Sequence, residues 1–150
     1  MKNIHITIYT KEHGKLDLTS EEMNHFNFDK VTRHRTDGPA VIYYYEDGSV
    51  EREYYFINNK RHRTDGFAAI WYYQDGSVLC EYYYINEKHH RLDGPSIIYY
   101  YNQDGSINSE YYYINNTCYS KEEYDNLINE MKALPKSLRL IHELWWVREL

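Results

Sequence analysis

The residues with the most chemical potential are three copies of His-Arg-x-Asp: His34, Arg35 and Asp37; His62, Arg63 and Asp65; His90, Arg91 and Asp93. A histidine beside a carboxylate suits acid–base work or metal ligation. The copies recur every 28 residues, from His34 to His62 and from His62 to His90, so they occupy one position of a repeat. If each repeat adds two strands, equivalent residues stand ~10 Å apart, whereas ligands of one metal ion must approach it to ~2 Å. A shared metal centre is therefore not expected, and nothing in the sequence calls for a cofactor. The plainer role is structural: aspartate holds turn amides, arginine pairs with it or with a neighbouring glutamate, and histidine packs alongside.

The same loops carry Lys30, Arg33, Arg35, Lys60, Arg61, Arg63, Lys88 and Arg91, almost half of the 17 basic residues. Asp29, Asp37, Asp65, Glu87 and Asp93 oppose them, while the other hairpin tips hold Glu46, Asp47, Asp75 and Asp104. The expectation is a basic edge facing an acidic one. His34, Arg35, Arg61, His62, Arg63, His90 and Arg91 are then the candidate contacts for an anionic ligand, with tyrosines near enough to stack on a base.

A second constellation is Glu53, Glu81 and Glu110 with Tyr44, Tyr72 and Tyr100. Paired carboxylates ~5–9.5 Å apart would suit glycoside hydrolysis, but the ~10 Å repeat exceeds that range and no long loops enclose a cleft. No nucleophile elbow, phosphate-cradling glycine loop or zinc spacing occurs. The sequence reads as non-catalytic.

The chain has 150 residues, a single-domain length, and a net charge of −6, too mild to argue for a nucleic-acid partner. Cys80 and Cys118 share no ligand or disulfide-framework spacing and read as free thiols. The N-terminal segment MKNIHITIYTKEHGK alternates apolar and polar residues and lacks a signal-peptide core; no apolar run is long enough to span a bilayer. The expected location is the cytoplasm, away from membranes.

Each repeat contains two runs rich in tyrosine and β-branched residues, PAVIYYY and VEREYYFI in the first, joined through Asp47-Gly48. An Asp-Gly link between such runs signals a two-residue hairpin turn. Asp75-Gly76 repeats it, and the third copy has one extra residue before Asp104-Gly105, which a longer turn or a bulge can absorb without changing strand register. Asn- and Gly-rich segments between hairpins mark the second reversals. The predicted fold is mainly β, an antiparallel hairpin-repeat meander of three 28-residue repeats, six strands in a single layer.

Pairing across the Asp47-Gly48 turn sorts the side chains by alternation. It predicts Tyr45 opposite Val50, Tyr44 opposite Glu51, Tyr43 opposite Arg52, Ile42 opposite Glu53 and Val41 opposite Tyr54. One face, with Val41, Tyr43, Tyr45, Val50, Tyr54 and Phe56, is expected to be buried. The other carries Tyr44, Glu53 and Tyr55, recurring as Tyr72, Glu81 and Tyr83 and as Tyr100, Glu110 and Tyr112, and is the candidate binding face.

Residues 1–33 are expected to cap one end, beginning with a strand in ITIYT, and residues 34–119 to form the array. Residues 120–150 are expected to cap the other end with helices. Ser120 and Glu123 form a capping box before Tyr124, Leu127, Ile128 and Met131 at helical spacing. A second helix beyond Pro135 would carry Leu138, Leu140, Ile141, Leu144, Trp145, Trp146 and Val147, closing the sheet or offering a partner-binding face.

The unit HRxDGPAxIYYYxDGSxxxEYYxIN, together with the closing YSKEEYDNL, resembles the MORN-variant repeats of small bacteriophage and giant-virus proteins. The resemblance covers His34 to about Asn116. It implies a MORN-like hairpin array of viral origin that acts by binding in the host cytoplasm. Its most natural partner is a host protein, and its most natural use is to inhibit an antiviral defence factor. The units are longer than ordinary MORN units and lack their second glycine, so the membrane binding sometimes associated with MORN arrays does not carry over. Two alternatives stay open: a sponge for a nucleotide-type ligand, and a scaffold or virion component that forms homo-oligomers.

Overall fold

The computed structural model describes residues 3–101 and 104–138. Its main sheet joins β1 (Ile6–Thr10), β2 (Gly14–Leu18), β3 (Val41–Tyr44), β4 (Val50–Tyr54), β7 (Ala69–Tyr72), β8 (Val78–Tyr82), β11 (Ile97–Tyr100), β12 (Ile107–Ile114) and β13 (Thr117–Tyr119). The strand order is β13-β12-β11-β8-β7-β4-β3-β1-β2, every pair antiparallel. The three repeat hairpins thus lie side by side, and an N-terminal hairpin extends the sheet by pairing β1 to β3. Two small hairpins stand at the loop edge, β5 (Phe56–Ile57) with β6 (Lys60–Arg61) and β9 (Tyr84–Ile85) with β10 (Lys88–His89).

Strand pairing matches expectation away from the tips: Val41 opposes Tyr54, Ile42 opposes Glu53 and Tyr43 opposes Arg52. Nearer the tip the expectation fails. Tyr44 opposes Val50, not Glu51, and Tyr45 lies outside the ladder. The Tyr45 amide donates to Ser49 O and the Gly48 amide donates back to Tyr45 O, so the loop is Glu46-Asp47-Gly48. Gly48 at φ 87° closes a three-residue turn with a bulge. The Asp47 carboxylate locks it by accepting from the amide and hydroxyl of Ser49. The bulge moves Val50 to the face opposite the one expected, and the second repeat repeats the shift at Tyr72 and Val78. The extra residue of the third repeat is taken up in the turn, between Tyr101 and Ser106, and Ile98 still meets Glu110.

The two-residue turns occur at the opposite ends of the strands, at Asn58-Asn59, Asn86-Glu87 and Asn115-Asn116. All six residues have positive φ, between 51° and 66°, the backbone of a type I′ turn. Asparagine tolerates this region and glutamate does so at a cost. Glu87 is held there by Arg61, whose backbone amide and guanidinium both donate to its carboxylate.

The expected division into a buried and a wet face does not hold. On the face of Val41 and Tyr54, Ile6, Ile8, Ala69 and Cys80 are buried, yet Trp71, Tyr82 and Tyr99 are only half-buried and Tyr111 is exposed. On the face of Glu53 and Glu81, Ile70, Ile98, Tyr112 and Ile114 are buried. The reason is coverage. Helix α1 (Ser20–His25) brings Met23, with Phe26 and Phe28 just beyond it, onto the first face beside Ile6, Ile8 and Val41. Helix α2 (Lys121–Ala133) brings Tyr124 and Ile128 onto the second face, against Tyr112 and Ile114. The helices therefore cover opposite faces at opposite ends. Both begin with capping boxes, Thr19 with Glu22 and Ser120 with Glu123. The expected second helix opens beyond Pro135: residues 136–138 are helical, the Leu138 amide donates to Pro135 O at 2.9 Å, and Leu138 is exposed. Its remaining residues Leu140, Ile141, Leu144, Trp145, Trp146 and Val147 lie outside the described residues.

Among the described residues no helix is long and apolar enough to cross a membrane. Both cysteines are free, Cys80 buried and Cys118 exposed.

The turn geometry yields a test. Glu87→Asn places an acceptor like that of Asn59, which takes the Arg33 amide and Nε at 2.7 and 3.1 Å, and should change stability by less than ~0.5 kcal/mol. Glu87→Val puts a β-branched residue in the left-handed region and removes the acceptor, and should cost ~1–3 kcal/mol. Urea unfolding midpoints of the two variants check the ordering.

Candidate binding grooves along the loop edge

Each His-Arg-x-Asp-Gly loop is stitched to the strands on both sides of it. The amides of His34, His62 and His90 donate to Tyr9, Tyr55 and Tyr83 carbonyls, each at 3.1 Å. The next amides, of Arg35, Arg63 and Arg91, donate to Phe56, Tyr84 and Tyr113 carbonyls. With its backbone fixed this way, each arginine lies flat on a ring. Arg35 sits 3.9 Å over Tyr9, Arg63 sits 4.2 Å over Tyr55 and Arg91 sits 3.9 Å over Tyr83. Its Nε donates to the aspartate two residues on, at 2.7, 2.8 and 2.7 Å for Asp37, Asp65 and Asp93.

The glycine of the motif serves this arginine. A Cβ at Gly38, Gly66 or Gly94 would stand 3.0, 3.3 or 3.1 Å from the guanidinium carbon of its own loop. The arginine side chains are 20–26% exposed and their aspartates 79–84%. The expected basic edge is thus an edge of ion pairs with the carboxylate as the outer member. Asp37 and Asp65 are held below the ordinary carboxylate range by their arginine hydrogen bonds.

The residue two before each arginine makes a second clasp, reaching forward. Arg33 lies 4.2 Å over Phe56, Arg61 lies 3.9 Å over Tyr84, and the His89 ring packs tilted against Tyr113 at 5.3 Å. The histidines of the motif face the type I′ turns: Nδ1 of His34 and of His90 accepts from the Asn58 and Asn115 amides, and His62 Nδ1 meets Asn86 Oδ1 at 2.8 Å. All seven residues of the expected edge are therefore brought to one row, and each is already engaged.

The carboxylate row is engaged too. Tyr72 donates to Glu53 at 3.1 Å, Tyr100 to Glu81 at 3.1 Å, and Tyr112 to Glu110 at 3.0 Å. Tyr44 donates instead to Thr7, which donates to Asp17 at 2.6 Å. Burial first and the adjacent carboxylate second push the Tyr100 and Tyr112 hydroxyls up to about 12, and Tyr72 shifts the same way for the same reasons. These hydroxyls stay protonated and donating. Tyr55 and Tyr83 carry the stacked arginines. Among the described residues no three histidine, cysteine, aspartate or glutamate side chains converge to hold a metal.

Between successive loops lie two open grooves. The first, of about 570 Å³, is lined by Arg35, Gly38, Tyr55, Ile57, His62 and Thr64 among others. The second, of about 470 Å³, repeats it with Arg63, Gly66, Tyr83, Ile85, His90 and Leu92. At the third position α2 fills the place: the Tyr124 ring packs tilted against Tyr112, centroids 4.9 Å apart, and its hydroxyl donates to Arg91 O and accepts from Gly94 N, both at 3.1 Å. Sequence reasoning missed Tyr9, the three glycines and Tyr124 as parts of this edge. The signal for Tyr9 was its place in ITIYT, the predicted first strand, which pairs with β3 of the first repeat. No protein family, curated protein or solved structure matches the chain.

Two tests follow from this geometry. Arg63→Ala removes the stack on Tyr55 and the pair with Asp65 and should lower stability by ~1–2 kcal/mol, read as the shift of a urea midpoint. His89 is held at about 4, below the ordinary 6.5, by burial first and then by Arg61, with Glu87 opposing; burial lowers His90 as well. The unfolded chain therefore takes up these protons first, so stability should fall as pH drops from ~6.5 towards 4. Melting temperatures across that range check the slope, which should be shallower in His89→Gln.

Proposed function

We propose that this is a non-catalytic interaction protein of the MORN-variant type, which binds a host protein along its loop edge and so inhibits an antiviral defence factor in the host cytoplasm. The observation that carries the reading is the repeated groove: the same open, tyrosine-floored cleft occurs twice, rimmed by exposed aspartates. A repeated, shallow surface suits an extended macromolecular partner better than a small substrate. The carboxylates that would be the natural catalysts accept hydrogen bonds from tyrosines instead. The ion pairs at Arg35, Arg63 and Arg91 weigh against the nucleotide sponge, since those cations are spent within the fold. The short edge strands β2 and β13, of 5 and 3 residues, weigh against a scaffold built by sheet-edge pairing.

A photo-crosslinking side chain at Thr64, on the groove rim, should give one dominant adduct with a host protein in extract. The same group at Ser77, on the opposite hairpin tip, should give none. Equal labelling from both positions, or none from either, would reject the loop edge as the interface.

A further inference from the structure

The third position of the edge shows what the first two can hold. There the Arg91 carbonyl and the Gly94 amide grip one tyrosine hydroxyl, and the ring of Tyr124 packs at a tilt against Tyr112. By repeat position Tyr112 corresponds to Tyr55 and Tyr83, and Ile114 to Ile57 and Ile85. Tyr112 and Ile114 are 7% and 0% exposed beneath α2, whereas Tyr55, Ile57, Tyr83 and Ile85 are half-buried. The matching carbonyl and amide pairs, Arg35 with Gly38 and Arg63 with Gly66, have no hydrogen-bond partner among the described residues.

We propose that the two open grooves are tyrosine sockets for a partner helix. Each socket takes one tyrosine, its hydroxyl donating to Arg35 O or Arg63 O and accepting from Gly38 N or Gly66 N, its ring against Tyr55 or Tyr83. Spacing selects the occupant. Successive sockets are two strands apart, ~9.6 Å, and residues i and i+7 of a helix lie ~10.5 Å apart on one face. Charge selects it further. Asp37, Asp65 and Asp93, 79–84% exposed, line the rim, so the partner helix carries lysine or arginine beside its tyrosines, as Lys121 stands 5.5 Å from the Tyr112 ring in the filled socket. This inference rests on the protein-binding reading and gives the partner's chemistry.

The test uses the full chain and a synthetic stapled helix with tyrosines at i and i+7 flanked by lysines. Binding should be one to one, with the Gly38 and Gly66 amide resonances shifting and that of Gly94, already occupied, staying put. Replacing both peptide tyrosines by phenylalanine should weaken binding at least ~10-fold. Thr64→Trp, a change at an exposed residue shared by both grooves, should weaken it similarly without lowering the melting temperature. Equal affinity of the phenylalanine peptide, or of a peptide with its tyrosines at i and i+4, would overturn the sockets. So would absence of binding, which leaves the crosslinking result at Thr64 to decide the broader reading separately.

Discussion

The constraint on which this structure depends is that a one-layer sheet has little to bury against. Among the described residues the helices make their main contacts with β2, β12 and β13, so the central strands must be stabilised sideways, by neighbour on neighbour. The arginine of each loop answers this need. It lies on the ring of the preceding unit, bonds its own aspartate, and rests against a glycine that has no side chain to displace it. A guanidinium can do this where an ammonium cannot, because its planar face stacks while its edge donates. Charge, ring and backbone are joined in one contact, and that contact recurs at Tyr9, Tyr55 and Tyr83.

The tyrosine-to-glutamate bonds make the same link on the carboxylate face. Tyr72 belongs to the second repeat and Glu53 to the first; Tyr100 belongs to the third and Glu81 to the second. A half-buried carboxylate without a partner is costly, and the hydroxyl of the following unit supplies one. The first repeat has no preceding glutamate, and there Thr7 and Asp17 of the N-terminal hairpin stand in. The abundance of tyrosine, 19 residues of 150, follows from this double duty: each ring offers a surface to stack on and a hydroxyl to reach the neighbouring repeat.

Much of this was legible because repetition multiplies weak signals. The period, the three hairpins, the pairing of Ile42 with Glu53 and the capping box at Ser120 all follow from residue order. The turn at Asp47-Gly48 was misread because Asp-Gly serves both a two-residue turn and a three-residue turn with a bulge. The choice was made by Ser49, whose amide and hydroxyl engage Asp47 and whose carbonyl takes the Tyr45 amide. That bulge reversed the face of Val50, and the second hairpin carries the same bulge at Val78. The basic edge was misjudged for a different reason: counting charges does not show that an aspartate two residues after an arginine will hold its Nε and become the exposed partner. The burial pattern was out of reach, since it depends on which face each terminal helix happens to cover.

The ends of the array explain the middle. A repeat needs a ring before it for its arginine and a group after it for its own tyrosine. At the start, Tyr9 of the N-terminal hairpin provides the ring. At the finish no further loop follows, and α2 provides Lys121 over Tyr112 and Tyr124 between Arg91 O and Gly94 N. Lys121 takes the place of an arginine, but the Tyr124 hydroxyl has no counterpart in the first two units, where the corresponding backbone groups face open grooves. The cap therefore does more than close the sheet: it satisfies a carbonyl and an amide that the internal repeats leave to solvent. A repeat that leaves the same donor and acceptor unfilled at every internal position, on a row rimmed by exposed carboxylates, presents a regular polar surface, and regularity is what an extended partner can match.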